Sequence, residues 1–205
     1  MCQPTVSRKR SRTTVSLDCE PAQKVACIRS ALPDRMLEQD ENDISPQDHV
    51  MQIVRSQGID VEIRESLNMT GFFSEYTPEE LASYDSDVLK AIRSQDIEKL
   101  REFHESGRPL KCSNSFGESL LHMACRRGFL KVAAFLIHEA NVPVRVRDDY
   151  GRTILHDAAW TCEPNFELIA MILMECPDLL FMKDRRGDTA ISYARKSHWG
   201  PGTSF

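Results

Sequence analysis

A sequence repeat in the second half of this 205-residue chain constrains its fold more than any other feature. Gly117–Ala124 and Gly151–Ala158 begin 34 residues apart, and the related segment Gly187–Ala194 begins 36 residues later. Repetition with a period of about 33 residues is typical of stacked helical units, each of which buries its apolar face against its neighbours. The sequence therefore predicts an all-α solenoid.

The repeated segments resemble the ankyrin-repeat family. Ser119–His122 and Thr153–His156 are similar to the Thr-Pro-Leu-His motif of that family, and Ala124 and Ala158 match its small position in the first helix. Gly128–Val132 resembles the turn between the two helices and the start of the second. Two copies in register make the resemblance specific.

The resemblance extends over about residues 87–199 and implies helix-turn-helix units joined by β-finger loops. The implied units are about 87–116, 117–150, 151–186 and a truncated 187–205. The structural residues that it implies for the repeats are His122, Ala124, Gly128, Gly151, His156, Ala158 and Gly187. More loosely, residues 145–153 and 198–199 are similar to small ankyrin proteins of unicellular algae.

The last unit ends after its first helix, and an uncovered end of a solenoid exposes apolar surface. Three arrangements would cover it: Trp199 and Phe205 fold back, the chain continues, or a partner binds there.

The N-terminal part of the chain differs from the repeats. Residues 1–44 are rich in Ser, Thr, Pro, Gln and charge and lack apolar periodicity, so we expect a disordered tail. Residues 45–86 are predicted to form a short helical flank. Ser45 and Thr77, each followed by Pro, are typical helix starts, and the alternating run 59–63 suggests a short strand.

A basic cluster at residues 8–12 lies in the predicted tail. It resembles a nuclear-import signal, although a plain tail and an organelle transit peptide are the alternatives. No apolar stretch follows it, so we expect an intracellular protein, cytoplasmic or nuclear. The seven cysteines contain no Cys-x-x-Cys pair, which favours reduced thiols, and Cys162 is the repeat cysteine predicted to be exposed.

Charge and hydropathy exclude two classes of partner. The chain has 26 basic and 31 acidic residues, of which nine and 14 lie in residues 1–84, leaving 17 of each beyond them. A neutral folded half does not attract phosphate backbones, so we expect no nucleic-acid binding there. The apolar runs 132–137 and 168–174 are far shorter than a membrane span of roughly 20 residues.

His122 and His156 invite a metal-binding or catalytic interpretation, but no Cys, Asp or His partner lies at metal-binding spacing. The resemblance implies instead that each forms structural hydrogen bonds between neighbouring units. Asp157 follows His156, but adjacent helical residues point about 100° apart and do not face one substrate together. The sequence therefore predicts no catalytic residue, no metal and no cofactor.

The resemblance implies that a partner protein binds the concave side, formed by finger tips and outward positions of the first helices. Aromatic and arginine side chains, which dominate many interfaces, occur at those positions. The predicted partner-binding residues are Phe116, Met123, Arg126, Arg127, Tyr150, Arg152, Asp157, Trp160, Arg185 and Arg186. Among them Tyr150, Arg152 and Trp160 are the set whose replacement by alanine is expected to weaken binding without lowering the melting temperature.

These patterns predict a monomeric, non-catalytic adaptor or scaffold that binds another protein. The alternative is a substrate-recognition or regulatory subunit of a larger enzyme complex, transcriptional or degradative. Stoichiometric co-purification with one catalytic partner would distinguish the second function from the first.

Overall fold

The computed structural model describes residues 45–161 and 163–194, and most of them are helical. The α-helices are α1 (Pro46–Ser56), α2 (Pro78–Ala82), α3 (Ser86–Ser94), α4 (Ile97–Glu105), α5 (Leu120–Arg126), α6 (Leu130–Ala134), α7 (Ile154–Trp160) and α8 (Phe166–Glu175). A π-helical turn, Phe135–Glu139, continues α6. Short 3-10 turns occupy Ser66–Asn68, Pro177–Phe181 and Ala190–Tyr193. The strands β1 (Arg64–Glu65) and β2 (Met182–Lys183) form a parallel pair.

Helix pairs stack in chain order. Within units α3 packs on α4, α5 on α6, and α7 on α8, while α5 also packs on α7 across units. The next neighbour of α7 is the 3-10 turn Ala190–Tyr193. This arrangement confirms the predicted helical solenoid.

The first helix of each central unit begins at a hydroxyl residue. The Ser119 side chain accepts a hydrogen bond from the His122 N–H, and the His122 ring accepts one from the Ser119 N–H. At the start of α7 the His156 ring likewise accepts a hydrogen bond from the Thr153 N–H. Histidine thus takes the place of the usual Glu or Gln in a capping box, and satisfies a backbone donor that the helix leaves free.

A finger loop precedes α5, another precedes α7, and a third precedes the 3-10 turn Ala190–Tyr193. One antiparallel bridge closes each finger, and the bridges join Ser113 to Ser119, Arg147 to Thr153, and Lys183 to Thr189. The glycines at the finger corners have positive φ, a conformation that glycine adopts without strain; they are Gly117, Gly151 and Gly187. Neighbouring fingers are tied by backbone bonds, from Asp149 N–H to Phe116 O (3.0 Å) and from Arg185 N–H to Tyr150 O (2.8 Å).

The core of α8 differs from the sequence expectation. The apolar residues of the run 168–174 suit a core, and we expect Leu168, Ile169, Leu173 and Met174 to pack there; Leu168 and Leu173 are buried, and so is Ile172. Ile169 is only partly buried, and 49% of Met174 is exposed. Because nearly every position of this helix is apolar, the periodicity does not indicate which face is buried.

The N-terminal flank runs along the array in the opposite direction to the repeats. Helix α1 packs on the turn Ala190–Tyr193, and the Thr189 hydroxyl donates to the Gln47 side chain. Further along, Ser66 contacts the third unit, and the Ser74 N–H donates to Arg145 O at 2.8 Å. The flank therefore starts on the last unit and ends beside the first.

The predicted strand at 59–63 was wrong in position. The observed strand, Arg64–Glu65, follows that run and pairs with Met182–Lys183 of the last finger. The alternation at 59–63 instead reflects partly buried Ile59, Val61 and Ile63 packed on the core.

Several predictions concern residues outside those described. They are the tail 1–44 with its basic cluster 8–12, Cys162, and the C-terminal residues 195–205 with Trp199 and Phe205. Within the described ranges, no helix combines the length and apolar character needed to cross a membrane.

Candidate protein-binding surface

Three large aromatic side chains lie exposed on successive units of the array. Phe116 and Tyr150 occupy finger tips, and Trp160 is the last residue of α7. Their exposed fractions are 65%, 51% and 50%. Such exposure is notable because a large aromatic side chain gains the most free energy when its surface is buried. All three belong to the predicted binding set, and we call them the aromatic surface.

His122, fully buried, links the second unit to the third. Its Nδ1 accepts a hydrogen bond from the Ser119 N–H at 3.1 Å, so the ring proton resides on Nε2. Nε2 then donates to Arg152 O, one unit later, at 3.1 Å. The ring has no capacity left for a metal or a substrate, which matches the structural role that the resemblance implies.

His156 repeats this set of bonds one unit further along. Its Nδ1 accepts from the Thr153 N–H at 3.1 Å, and its Nε2 donates to Asp188 O at 3.2 Å. Burial lowers the pKa of His156 and keeps the ring neutral. The Tyr193 ring packs edge-on against it, with 5.3 Å between centroids.

Arg126 of α5 bridges two carboxylates. Its guanidinium donates to both oxygens of Asp157, on α7, at 3.1 and 3.0 Å, and to Glu118 at 2.6 Å. Burial opposes ionisation of Arg126 and Glu118. The bonds between them and to Asp157 outweigh it, so that the pKa of Arg126 is raised and that of Glu118 lowered.

Asp157, predicted to contact a partner, is only 4% exposed. Its carboxylate is occupied by the bidentate bond to Arg126, the geometry that favours arginine over lysine. Asp157 therefore orients Arg126, whose side chain is 41% exposed at the surface.

Arg152 is also engaged within the array. It donates to the Asp148 carboxylate from Nε at 2.7 Å and lies with Nη2 at 2.6 Å from it. Asp148, 1% exposed, accepts in addition from the N–H groups of Tyr150 (2.9 Å) and Arg152 (2.8 Å). The Arg152 guanidinium lies 5.4 Å from the Tyr150 ring centroid, so one ion pair fixes both the finger corner and an exposed aromatic ring.

Trp160 rests on Tyr193 of the last unit, with ring centroids 5.6 Å apart. The Tyr193 hydroxyl donates to the Asp184 carboxylate at 2.5 Å. Burial and this bond raise the pKa of Tyr193. Tyr193 was absent from the predicted set, although it occupies the repeat position of Met123 and Asp157, which were included.

The other predicted arginines lie at the surface of the array. Arg127, Arg185 and Arg186 are exposed, and none forms an ion pair with another described residue. Met123 is half-buried and lines, with Tyr84, Arg126 and Arg127, a small cleft of about 120 Å³.

Arg93 is a surface residue that the sequence reasoning missed. It is exposed and forms no ion pair with the described residues. Burial raises the pKa of Tyr84, and the positive charge of Arg93 opposes part of that rise. The available signal was the alignment of units: Arg93 follows Ala91 by two residues, as Arg126 follows Ala124.

The described cysteines are not poised to react. Cys112, Cys125 and Cys176 are buried, and burial raises the pKa of each thiol, that of Cys112 to about 12. Across the described ranges no three His, Cys, Asp or Glu side chains form a group that could hold a metal ion.

Comparison with known proteins finds similarity in the repeats. The profile of a family described as "Ankyrin repeats (3 copies)" matches residues 88–181. A protein of Caenorhabditis elegans named as a glutaminase 2 is 31% identical over 71 residues, which are 35% of this chain and 12% of that protein. Diacylglycerol kinase zeta of Rattus norvegicus is 29% identical over 114 residues, 54% of this chain and 12% of that protein. The chain thus spans about an eighth of each relative.

Proposed function

Because residues 88–181 of this chain are ankyrin repeats, we propose that it acts as an adaptor or scaffold that binds another protein. The resemblance noted from the sequence is confirmed by the family profile, whereas the looser similarity to algal proteins stays a prediction. Ankyrin repeats generally mediate contacts between proteins and are typically non-catalytic. The enzyme names of the two relatives describe proteins of which this chain matches only a small part.

One observation supports the aromatic surface as the binding face: Phe116, Tyr150 and Trp160 are all at least half exposed on successive units. Each is held by backbone or ring contacts to a neighbouring unit. A rigid aromatic ring loses little conformational entropy when a partner covers it, which is why such residues dominate binding energies. The surrounding arginines, Arg126 and Arg152, are held in place by the carboxylates beneath them.

The structure changes the choice of test variant. Replacing Arg152 by alanine would leave the buried Asp148 carboxylate without its cation, so a lost interaction would be confused with a weakened fold. Phe116 takes its place: the chain with Phe116→Ala, Tyr150→Ala and Trp160→Ala removes ring surface and no charge.

We expect this triple variant to lose the proteins that the wild-type chain captures from native extract, as measured by quantitative mass spectrometry. The matched control is Arg55→Ala, Leu81→Ala and Lys131→Ala, three exposed residues outside the aromatic surface, which should capture like the wild type. Thermal unfolding of all three proteins shows whether the fold persists. Equal capture by the triple variant and the control would reject the aromatic surface as the binding face.

The alternative, a recognition or regulatory subunit of an enzyme complex, uses the same surface. It predicts one enzyme captured in a fixed stoichiometric ratio, while an adaptor captures several proteins in variable amounts. Intensity-based stoichiometry in the same experiment separates the two.

A further inference from the structure

The last unit of the array begins with a weaker element than the two units before it. Helices α5 and α7 each have seven residues, whereas the equivalent segment, Ala190–Tyr193, is a 3-10 turn of four residues. The hydrogen bonds of a 3-10 turn have poorer geometry than those of an α-helix. Ser192 stands at the repeat position of His122 and His156, and its side chain is shorter than the imidazole rings that cap α5 and α7. This turn therefore depends more than α5 or α7 on what packs against it.

Helix α1 provides a contact to this turn from the other end of the chain. It packs on the turn, and the hydroxyl of Thr189, the residue at the start of the turn, donates to the Gln47 side chain. In the two preceding units the equivalent hydroxyls, those of Ser119 and Thr153, lie 2.9 Å from a histidine Nδ1. At the last unit Gln47 thus takes the place of the histidine as the partner of this hydroxyl.

Helix α1 is attached to the array by one face. Gln47, Met51 and Val54 are spaced by four and three residues, so they lie on the same side of the helix. Met51 and Val54 are its buried residues, while Gln52 and Arg55 are exposed. An element with so few buried side chains opens locally at a lower free energy than the core of a protein. Helix α1 can therefore leave the turn while the repeats stay folded.

The turn that α1 contacts also supports part of the aromatic surface. Its last residue, Tyr193, packs on Trp160 with 5.6 Å between ring centroids and on His156 with 5.3 Å. The Tyr193 hydroxyl donates to the Asp184 carboxylate. A displacement of the turn therefore removes the ring on which Trp160 rests.

We propose that α1 positions the aromatic surface: docked α1 holds the turn Ala190–Tyr193, and the turn holds Trp160 through the Tyr193 ring. Release of α1 loosens the turn and leaves Trp160 without support, so the N-terminal flank regulates the binding face at the far end of the array. The inference rests on the proposed function in that both concern one surface. Its test reads the Trp160 ring directly and requires no partner.

The test compares two double variants of the full-length chain. Met51→Ser with Val54→Ser removes the buried side chains of α1 and is called the release variant. Gln52→Ser with Arg55→Ser places the same two serines at exposed positions of the same helix and serves as the control variant. We expect amide hydrogen exchange of residues 183–193 to become on the order of tenfold faster in the release variant and to stay unchanged in the control variant.

The aromatic surface is monitored by fluorescence. Both variants and their parent also carry Trp199→Phe, which leaves Trp160 as the single tryptophan of the chain. Quenching by acrylamide then measures how accessible the Trp160 ring is to solvent. We expect a larger quenching constant in the release variant, because Tyr193 no longer packs on the ring, and the parent value in the control variant.

A double-mutant cycle tests whether the effect passes through Tyr193, since position between two sites is not by itself evidence of coupling. Tyr193→Ala alone should raise the quenching constant of Trp160. Adding the release substitutions to Tyr193→Ala should raise it no further, because changes that act through one contact are not additive. Additive increases would reject Tyr193 as the connection and overturn the inference.

Two further results would overturn the inference: unchanged exchange of residues 183–193 in the release variant, or faster exchange there with an unchanged quenching constant. If residues 120–137 also exchange faster, the release variant has lost more than α1, and Gln47→Ala replaces it. This substitution removes the bond to Thr189 and no fully buried side chain. It should shift both measurements in the same direction by less, and no shift would equally overturn the inference. Failure of the aromatic surface in the capture experiment would leave these outcomes unaffected.

Discussion

The repeat array and the N-terminal flank are held by contacts of different range along the chain. Bonds between units, such as His122 to Arg152 or Arg126 to Asp157, join residues 30 or 31 apart. Some bonds of the flank join residues much further apart, 85 from Ser66 to Gly151 and 142 from Gln47 to Thr189. The array thus depends on one contact repeated between neighbours, while the flank combines nearer bonds, such as that from Lys111 to Glu75 O, with single contacts to distant units.

The largest expected loss of stability comes from removing the histidine contact that is repeated between units. His156→Ala leaves the Thr153 N–H without its partner, removes one of the two hydrogen bonds that the Asp188 carbonyl accepts, and opens a cavity where the ring was buried. A buried unsatisfied group costs about 1–3 kcal/mol, so we expect a loss of about 2–4 kcal/mol of unfolding free energy in denaturant titration. A loss below that of an exposed substitution would show that the histidine does not couple the units.

A pair of glycine variants isolates the contribution of the flank. Gly151 and Gly187 occupy equivalent finger corners with φ of +78° and +87°. A Cβ on Gly151 would lie 3.1 Å from Leu67 and against the Ser66 hydroxyl, whereas no described residue lies within 4 Å of one on Gly187. Both alanine variants incur the left-handed backbone strain, about 1–2 kcal/mol.

Only Gly151→Ala should in addition displace the flank, so we expect it to destabilise the protein by about 1–2 kcal/mol more than Gly187→Ala. Hydrogen exchange of residues 64–74 should also become faster in Gly151→Ala alone. Equal unfolding free energies of the two variants would mean that Ser66 and Leu67 can move away from residue 151 without destabilising the protein.

The smallest effect concerns pH and the array alone. Burial lowers the pKa of His156 from its ordinary 6.5, so below that pH the unfolded chain binds a proton that the folded chain excludes. The stability that this neutral ring contributes is present above pH 6.5 and is lost as the pH falls towards the lower folded value. Comparing wild type with His156→Gln by denaturant titration at pH 7.5 and 5.5 should show a shallower loss in the variant; parallel losses would assign the pH dependence to other groups.

The repeat was predictable from the sequence because each of its structural residues recurs at the same position in successive units. The hydroxyl before each first helix, the histidine three residues later and the glycine at each finger corner appear twice or more in register. Of the surface, the exposure of Phe116, Tyr150 and Trp160 follows from their places at finger tips and a helix end. The bond between Arg126 and Asp157 did not follow, since it joins different repeat positions of neighbouring units.

The path of the flank could not be predicted in the same way. Ser66 and Gln47 contact residues 85 and 142 positions away, and no periodicity indicates such a partner. The alternation at 59–63 predicts a strand at the wrong residues. The position of the strand depends instead on where Met182–Lys183 of the last finger lie, because these are the residues with which it pairs. In α8, continuous apolar character concealed which face Ile172 and Met174 occupy.

The antiparallel course of the flank has a consequence for synthesis on the ribosome. Arg64 and Glu65 leave the ribosome well before Met182 and Lys183, with which they pair. At roughly 5–20 residues per second, the intervening chain takes on the order of ten seconds to be made. The repeats stack in the order in which they emerge, but the start of the flank, which contacts the last unit, docks only when that unit is complete. A nascent chain that stops short of that finger would therefore present the start of its flank undocked, which distinguishes unfinished molecules from finished ones.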